Sequence, residues 1–518
     1  MCMRVIVLVS KNVICYVEKE RKVPVVKKID VVVVGGSQSG CAAAICAARQ
    51  GAEVLIVERS CFLGGQSVGT MVVWWEKRSF INNLGAVATR GIAREMRDRI
   101  LEKGGSDPLW RDPPGCEEMR DGNERLDVEA IKHTLLEMCL EADVEILFDT
   151  LCVDVMLEEG DEQKLPRVNG IIVENKSGRQ AIKAKIVVDA SAYLDVVWFA
   201  IGEKGVIIRP PEERIDNGWV TWFGGVDSKK FVDYVLKSKS VRGYPSLENP
   251  EKVLHHLETG RMLQFGGFPE IVDKARELGY FDGWPSNLTQ PRGLGTLWIG
   301  GDRWTGGAGR FTKEPDTLDA WDLSRAEIQR QILERKALKI WRLVPGWENA
   351  YIARSSVRLG LRETRILRAV TMITTKDMFD PDHDRPDAIG RSAGHDPGKN
   401  NLWKAYPIPY GALVPEYLDG VLCCSRAIGV DSVVPLDAHR GITPTIVVGQ
   451  AAGTAAALAA LNNIEPRDVN LQELRRILRE NDVVLDVETI KLDTIPEDKS
   501  KWMWQPHTKE DKKLQQTP

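Results

Sequence analysis

Residues 31–34 form an unbroken apolar run of four valines with no polar position between them. Such a run, bounded by turn residues, predicts a strand buried on both faces. A turn over residues 35–40 follows. Next come small residues (Cys41, Ala42, Ala43, Ala44, Cys46, Ala47, Ala48) that predict a helix able to pack close to a sheet. Gly51 ends that helix, residues 54–57 read as a second buried strand, and Glu58 stands at its tip. Helical spacing recurs over 91–103 and again over 126–142, where Leu126, Ile131, Leu135, Met138 and Cys139 share a stripe. Residues 144–155, 168–173 and 186–191 predict strands, the last ending in small side chains. The glycine-rich stretch 293–309 predicts loops, 323–343 an amphipathic helix and 421–424 an apolar strand. Arg354, Arg358, Arg362 and Arg365 fall partly at i, i+4 spacing and predict one basic helix face, read either as a solvated face with Glu363 or as holding at least one arginine that binds a substrate anion. Thr443 and Pro444 predict the N-cap and first residue of a long alanine-rich helix, and 471–480 a final helix.

The opening strand, turn, helix, strand and acid form a βαβ unit with the order of a dinucleotide site. Turn amides and the helix N-terminus face a pyrophosphate, and the acid accepts from a ribose hydroxyl. The glycine fingerprint maps to Gly35, Ser37 and Gly40, with serine at the second position. Ser37 serves there if its φ is negative. Gly64 and Gly65 then let the chain pass close to a flat ligand, and residues 190–192 allow a second backbone approach. An ordinary α/β turn with nothing bound is the alternative reading of the unit.

A chain of 518 residues is too long for one core and implies two or three domains. A net charge of -4 argues against a nucleic-acid partner, and no apolar run has the length of a membrane span. The apolar stretch near the N-terminus is too short for a signal peptide, and ten cysteines without zinc or disulfide spacing point to a cytoplasmic protein. The fifteen tryptophans, most of them between Trp219 and Trp403, read either as a second core or as an aromatic pocket for a ring-shaped substrate. Residues 380–384 imitate a calcium loop but lack its glycine and distal glutamate, so no metal is expected. His255 and His256 have no ligand partner at the right spacing and are expected at the surface. His439 and Arg440 lie just before the last long helix, whose positive end favours negative charge. His439 is the candidate general acid or base, Arg440 and Arg362 candidates for polarising or anchoring substrate, and His395 a second candidate.

The ordered set VVVVGGSQSGCAAAICAA, ERSCFLGGQS, VVDASAYLD, VRLGLRETRIL, LDGVLCCSRAIG and GQAAGTAAALAA resembles the bacterial FAD-dependent oxidoreductases related to the fumarate reductase and succinate dehydrogenase flavoproteins, over about residues 29–480. The resemblance implies an α/β fold: a glutathione-reductase-type Rossmann FAD-binding domain with an inserted α+β substrate or cap domain. The implied divisions are an N-terminal extension at 1–28 and a first FAD-binding part at 29–200, with an excursion at about 68–125. A cap follows at 201–400, a second FAD-binding part at 401–465, and a C-terminal helix and charged tail at 466–518. It implies FAD contacts at Gly35, Gly36, Ser37, Gly40, Glu58, Arg59, Gly64, Gly65, Gln66, Ser67, Val153, Ala190, Ser191, Ser425, Arg426, Gly449, Gln450 and Gly453. Ser191-Ala192 stands where Thr-Gly is usual, Ser425 where glycine is usual, and Gly441 where an arginine often precedes the last helix. The implied activity is hydride transfer between FAD and a small organic substrate, with the electron acceptor and oligomeric state left open. Covalent flavin attachment through Cys61 or a histidine, and a non-catalytic flavin or dinucleotide-binding protein, are the alternatives.

Overall fold

The computed structural model describes residues 18, 20–72, 74–75, 89–103, 124–259, 263–379, 385–392 and 405–486. The loop at 107–121, the calcium-like loop at 380–384, His395 and the tail from Pro496 lie outside the described residues.

The first unit is β1 (Val25–Val34), α1 (Gln38–Arg49) and β2 (Val54–Val57). Helices α2 (Ile92–Glu102) and α3 (Val128–Glu141) lead to β3 (Glu145–Leu147), β4 (Leu151–Glu158), β5 (Arg167–Asn175) and β6 (Gly178–Asp189). After α4 (Asp195–Ile201) come β7 (Thr221–Gly224), β8 (Arg242–Tyr244), β9 (Gln264–Gly267), β10 (Leu294–Gly300) and β11 (Arg303–Thr305). Then come α5 (Ala320–Trp341) and β12 (Tyr351–Ser355), and the chain returns through β13 (Val421–Cys423), α6 (Val433–His439), α7 (Ile442–Asn462) and α8 (Leu471–Glu480).

Two larger sheets result. The first runs β3-β2-β1-β6-β5-β4, with β13 also pairing β6. Strands β3, β2, β1, β6 and β13 are parallel neighbours, and β4 and β5 are antiparallel. Its central strands are buried on both faces, as the valine run requires. The second sheet runs β8-β9-β10-β11-β7-β12 and is antiparallel throughout. This is the expected α/β fold, a Rossmann-type sheet with an antiparallel sheet set between its two parts.

Helix α7 packs against α1 at backbone distance. A Cβ at Gly449 would lie 2.3 Å from the Ser39 carbonyl oxygen, and one at Gly453 would lie 2.0 Å from that of Ala43. Alanine and glycine on both helices make that approach possible. Among the described residues α7 alone has the length and apolar character to cross a membrane, and 83% of its apolar window is buried inside the protein.

The second sheet has its own aromatic core. Trp341 stacks on Trp347 at 4.3 Å, and Phe231 meets Trp304 edge-on at 4.9 Å. Trp304, Trp341 and Trp347 are completely buried. The tryptophan excess therefore follows the core-packing reading.

Several local expectations need correction. Residues 144–155 are two strands, because a left-handed residue, Asp149 (φ 50°), interrupts the run; the strands on either side of it keep the same direction at opposite ends of the sheet. The glycine-rich stretch at 293–309 forms the β10–β11 hairpin, with Gly300 and Gly301 turning the chain. The basic helix face does not exist: Arg354 is on β12 and Arg358, Arg362 and Arg365 lie on an irregular segment. The Gly360 N–H and carbonyl pair there with Gly218. Thr443 lies inside α7, whose N-cap is Gly441. His256 is buried against the Tyr244 ring, and only His255 is at the surface.

The α1–α7 contact gives a direct test. Gly453→Val should lower the melting temperature and cost about 1–3 kcal/mol, because backbone atoms leave no room for the added carbons. A melt matching the parent's would show that the two helices are not held at backbone distance.

Candidate functional site

A cleft of about 1130 Å³, counting its open mouth, lies beyond the carboxyl ends of β1, β2 and β6. Open α/β sheets bind ligands at this place. Gly35 lies at the tip of β1 with φ 108°, and a Cβ there would sit 2.6 Å from the Ala190 carbonyl oxygen. Only glycine suits both the conformation and the approach. Ser37 has φ −70° and ψ 176°, so the serine in place of the second glycine is unstrained. Its Oγ caps α1 by accepting from the Gly40 N–H at 3.4 Å. At the same helix end, Gln38 and Ser39 carry N–H groups with no intrahelical acceptor.

Glu58 closes the turn. Its carboxylate accepts from the Gly36 N–H at 2.6 Å and the Ser60 N–H at 2.8 Å. The Gly64 N–H donates to the Gly36 carbonyl at 2.8 Å, and Gly65 runs so close to Ser37 that its Cβ would lie 2.7 Å from the serine's. Gln66 donates to the Leu361 carbonyl at 2.7 Å, which ties this turn to the segment carrying the arginines.

The end of β6 is organised by Asp189, which is wholly buried. It accepts from the Ser191 N–H and Oγ and, at 3.0 Å, from the Val196 N–H of α4. Burial raises its pKa, and those hydrogen bonds oppose the rise. Tyr193 is flanked by two left-handed non-glycine residues, Ala192 (φ 63°) and Leu194 (φ 55°). Thr364 and Arg365 hold this strained turn by donating to the carbonyls of Ala192 and Tyr193, each at 2.8 Å. The Arg59 guanidinium lies 5.4 Å from the Tyr193 ring centre. Burial pushes the Asp195 carboxyl up to about 6, with Asp189 adding and Arg365 opposing.

At the other end, Ser425 and Arg426 follow β13. Arg426 donates from Nε to the Arg362 carbonyl at 3.0 Å. Burial lowers its guanidinium to about 10, and Arg358, Arg59 and Arg440 lower it further. Arg440, pinned by Asp437 at 2.7 Å, lines the cleft beside Ile442 and Thr445 at the start of α7.

The cleft thus brings together Gly35, Ser37, Glu58, Arg59, Gly65, Gln66, Ser67, Ala190, Ser191, Ser425, Arg426 and Arg440. Gly36, Gly40 and Gly64 shape the turns beneath it. Other expected contacts are placed elsewhere. Leu151 and Cys152 line the cleft in place of Val153, beside a register shift between Cys152 and Asp154. Gly449 and Gly453 are spent on α1, and Gln450 accepts from the Ile92 N–H at 3.0 Å. Arg362 donates to the Asp216 carbonyl at 2.9 Å and is not on the lining. Cys61 is exposed and also off the lining. The expectation of a near-neutral His439 is corrected. Its ring is fully buried, with Nδ1 3.3 Å from the Tyr406 hydroxyl, and burial drives it down to about 4. It is a neutral imidazole behind the cleft wall.

Sequence reasoning did not single out Gln38, Tyr193 or Asp195 as site residues, and it offers Arg358 only as one of four arginines, at least one of which reads as binding a substrate anion. Tyr193 and Asp195 could have been found by their place just past the β6 strand end. Spacing alone does not set Arg358 apart from the other three, since the segment after β12 is irregular and not the helix the spacing predicts.

The lining fits a flavin dinucleotide. Backbone crowding around Gly35 leaves a cradle no side chain can fill, and two polar atoms, Gln38 Nε2 and Arg426 Nη2, are buried with no hydrogen-bond partner. A model of the FAD dependent oxidoreductase family matches residues 30–478. The chain belongs to that family. FAD is the cofactor of this oxidoreductase. No curated protein matches it. Among solved structures, a geranylgeranyl bacteriochlorophyll reductase-like protein from Thermoplasma acidophilum is similar at 12% identity, covering 88% of this chain and 84% of that one, with a TM-score of 0.42. The p-nitrophenol 4-monooxygenase PnpA from Pseudomonas putida is similar at 10% identity, covering 88% and 86%, with a TM-score of 0.38. The flavin-dependent brominase Bmp2 is similar at 12% identity, covering 88% and 83%, with a TM-score of 0.40. These scores are too low to say anything of the reaction.

Asp195 sets a pH test. Its pKa is raised on folding, so its contribution to stability is present at low pH and is lost as pH rises through about 6. Asp195→Asn should therefore melt higher than the parent at about pH 7.5, with the gap shrinking towards about pH 4.5. A gap of the same size at both would contradict the raised pKa.

Proposed function

We propose that this family member moves a hydride between FAD and a small organic substrate, with Arg440 as the cation that orients the substrate at the far end of the cleft. One observation carries the reading. Arg440 faces the cleft where α7 begins, so a guanidinium fixed by Asp437 and the positive end of a 21-residue helix act on the same place. When bound, FAD supplies the redox chemistry. The protein's share is to position the substrate and to supply charge. Glu58 and the amides at the start of α1 hold the adenosine and diphosphate end. His439, neutral and buried, acts through position, linking α6 to Tyr406.

The motifs quoted above support kinship with the fumarate reductase and succinate dehydrogenase flavoproteins. They also support the division into two FAD-binding parts (29–200 and 401–465) around a cap at 201–400. The tryptophans give no argument for a ring-shaped substrate, since Trp298, Trp304, Trp341 and Trp347 fill the core of the second sheet. Seven cysteines with free thiols among the described residues support a cytoplasmic location.

The test is anaerobic mixing of the FAD-loaded protein with hydroxy acids, sugars and aromatic alcohols, followed by flavin absorbance. At least one should bleach the parent, and Arg440→Ala should slow bleaching by about 10²–10³ at equal FAD content. A variant reduced as fast as the parent would remove Arg440 from the account. A panel that bleaches nothing would favour a non-catalytic flavoprotein.

A further inference from the structure

The cleft carries unbalanced positive charge, and the imbalance can be located. Arg440 is paired with Asp437, and the cleft-lining Asp195 lies 3.6 Å from Arg365. With those pairs set aside, Arg59, Arg358 and Arg426 line the cleft without an ion pair among the described residues, facing the single carboxylate of Glu58. The surplus is two positive charges. Arg426 is 9% exposed, and its Nη2 has no hydrogen-bond partner. Arg358 has no hydrogen-bond or ion-pair partner among the described residues. Burial lowers its pKa, with Arg59 adding, while Tyr193 and Glu58 oppose. Two guanidiniums without acids in a buried cleft are costly unless an anion completes them.

Arg358 reaches this place from the other sheet. It sits three residues past β12, on a segment held from both sides. The Val357 N–H donates to the Gly69 carbonyl at 2.7 Å, and the Ser356 Oγ lies 3.1 Å from the Thr70 carbonyl oxygen. The Leu359 N–H donates to Glu327 of α5. Glu327 in turn accepts from Arg330 Nε at 2.9 Å. Arg330 also reaches Glu334 at 2.6 Å and the Ser356 carbonyl at 3.1 Å. A charged triad on α5, with Arg330 and Glu334 buried and Glu327 part-exposed, thus fixes the backbone on either side of Arg358.

We propose that Arg358 and Arg426 clamp the FAD diphosphate from the side opposite the Gly35–Gly40 turn, and that Glu327 and Arg330 are positioning residues for Arg358. A diphosphate bridge carries the two negative charges the cleft lacks, and guanidinium forks match phosphate oxygens in pairs. The unoccupied N–H groups at the start of α1 meet the same bridge from the other side. Binding of the dinucleotide then joins the two sheets through one ligand. The inference rests on FAD as the cofactor and not on the reaction proposed above.

The test uses the full-length protein freed of flavin by dialysis against salt and titrated calorimetrically with FAD, ADP and riboflavin. ADP keeps the diphosphate; riboflavin lacks it. Arg358→Gln should weaken FAD and ADP together by about ten- to a hundredfold and leave riboflavin unchanged. Arg358→Lys should restore part of the loss, and Arg426→Gln should repeat the pattern if the first variant folds poorly. Glu327→Gln should weaken FAD in the parent and add little once Arg358 is gone. Parental FAD and ADP affinity in Arg358→Gln and Arg426→Gln, with only substrate-driven bleaching impaired, would assign the pair to a substrate anion and overturn the proposal. An equal loss for riboflavin would overturn it as well.

Discussion

Backbone touching backbone is the constraint that shapes this molecule. Gly35 approaches the Ala190 carbonyl, and Gly449 and Gly453 approach the carbonyls of α1, at distances no Cβ tolerates. Those approaches draw β1, β6, α1 and α7 into one tightly packed layer. The turn at the end of β1 is left with bare amides facing outward and with Glu58 locked beneath it. A bulkier residue at any of these contacts would push the layers apart and misplace the turn.

Charge is the second organising element, and it ties the two sheets together. Arg330, Glu327 and Glu334 are satisfied within the protein and serve to hold a segment of chain. Arg358 and Arg426 have no acidic partner among the described residues, and both line the cleft at the strand ends. The contrast between a completed buried network and an uncompleted one points to scaffold in the first case and to a site in the second, because an unpaired buried charge is costly until a counter-ion meets it.

The parallel part of the fold was legible because its signals are local. The valine run, the glycine turn, the small-residue helix and the acid at a strand tip each follow from a few adjacent residues. Helices α3, α5 and α8 were readable from their apolar spacing. The failures share one cause: residues whose partners are distant in sequence. Residues 293–309 look like loop until β9 and β7 supply strands to pair with. The arginines of 354–365 look helical until Gly218, Ala192 and Tyr193 take up that segment's hydrogen bonds. His439 looked like a titrating base because no sequence pattern reveals that a side chain is sealed in. Gly449 and Gly453 were rightly read as close-packing residues. Assigning them to the cofactor went further than their position allows, two to three turns beyond the helix end that faces the cleft.

Amide hydrogen exchange with and without FAD measures the central claim most directly. Protection gained on loading should concentrate at the start of α1, at residues 190–196 and around Arg358, with little change in the aromatic core of the second sheet. Protection confined to that second sheet, or unchanged exchange at the start of α1 in protein shown to carry FAD, would place the cofactor elsewhere and contradict the account.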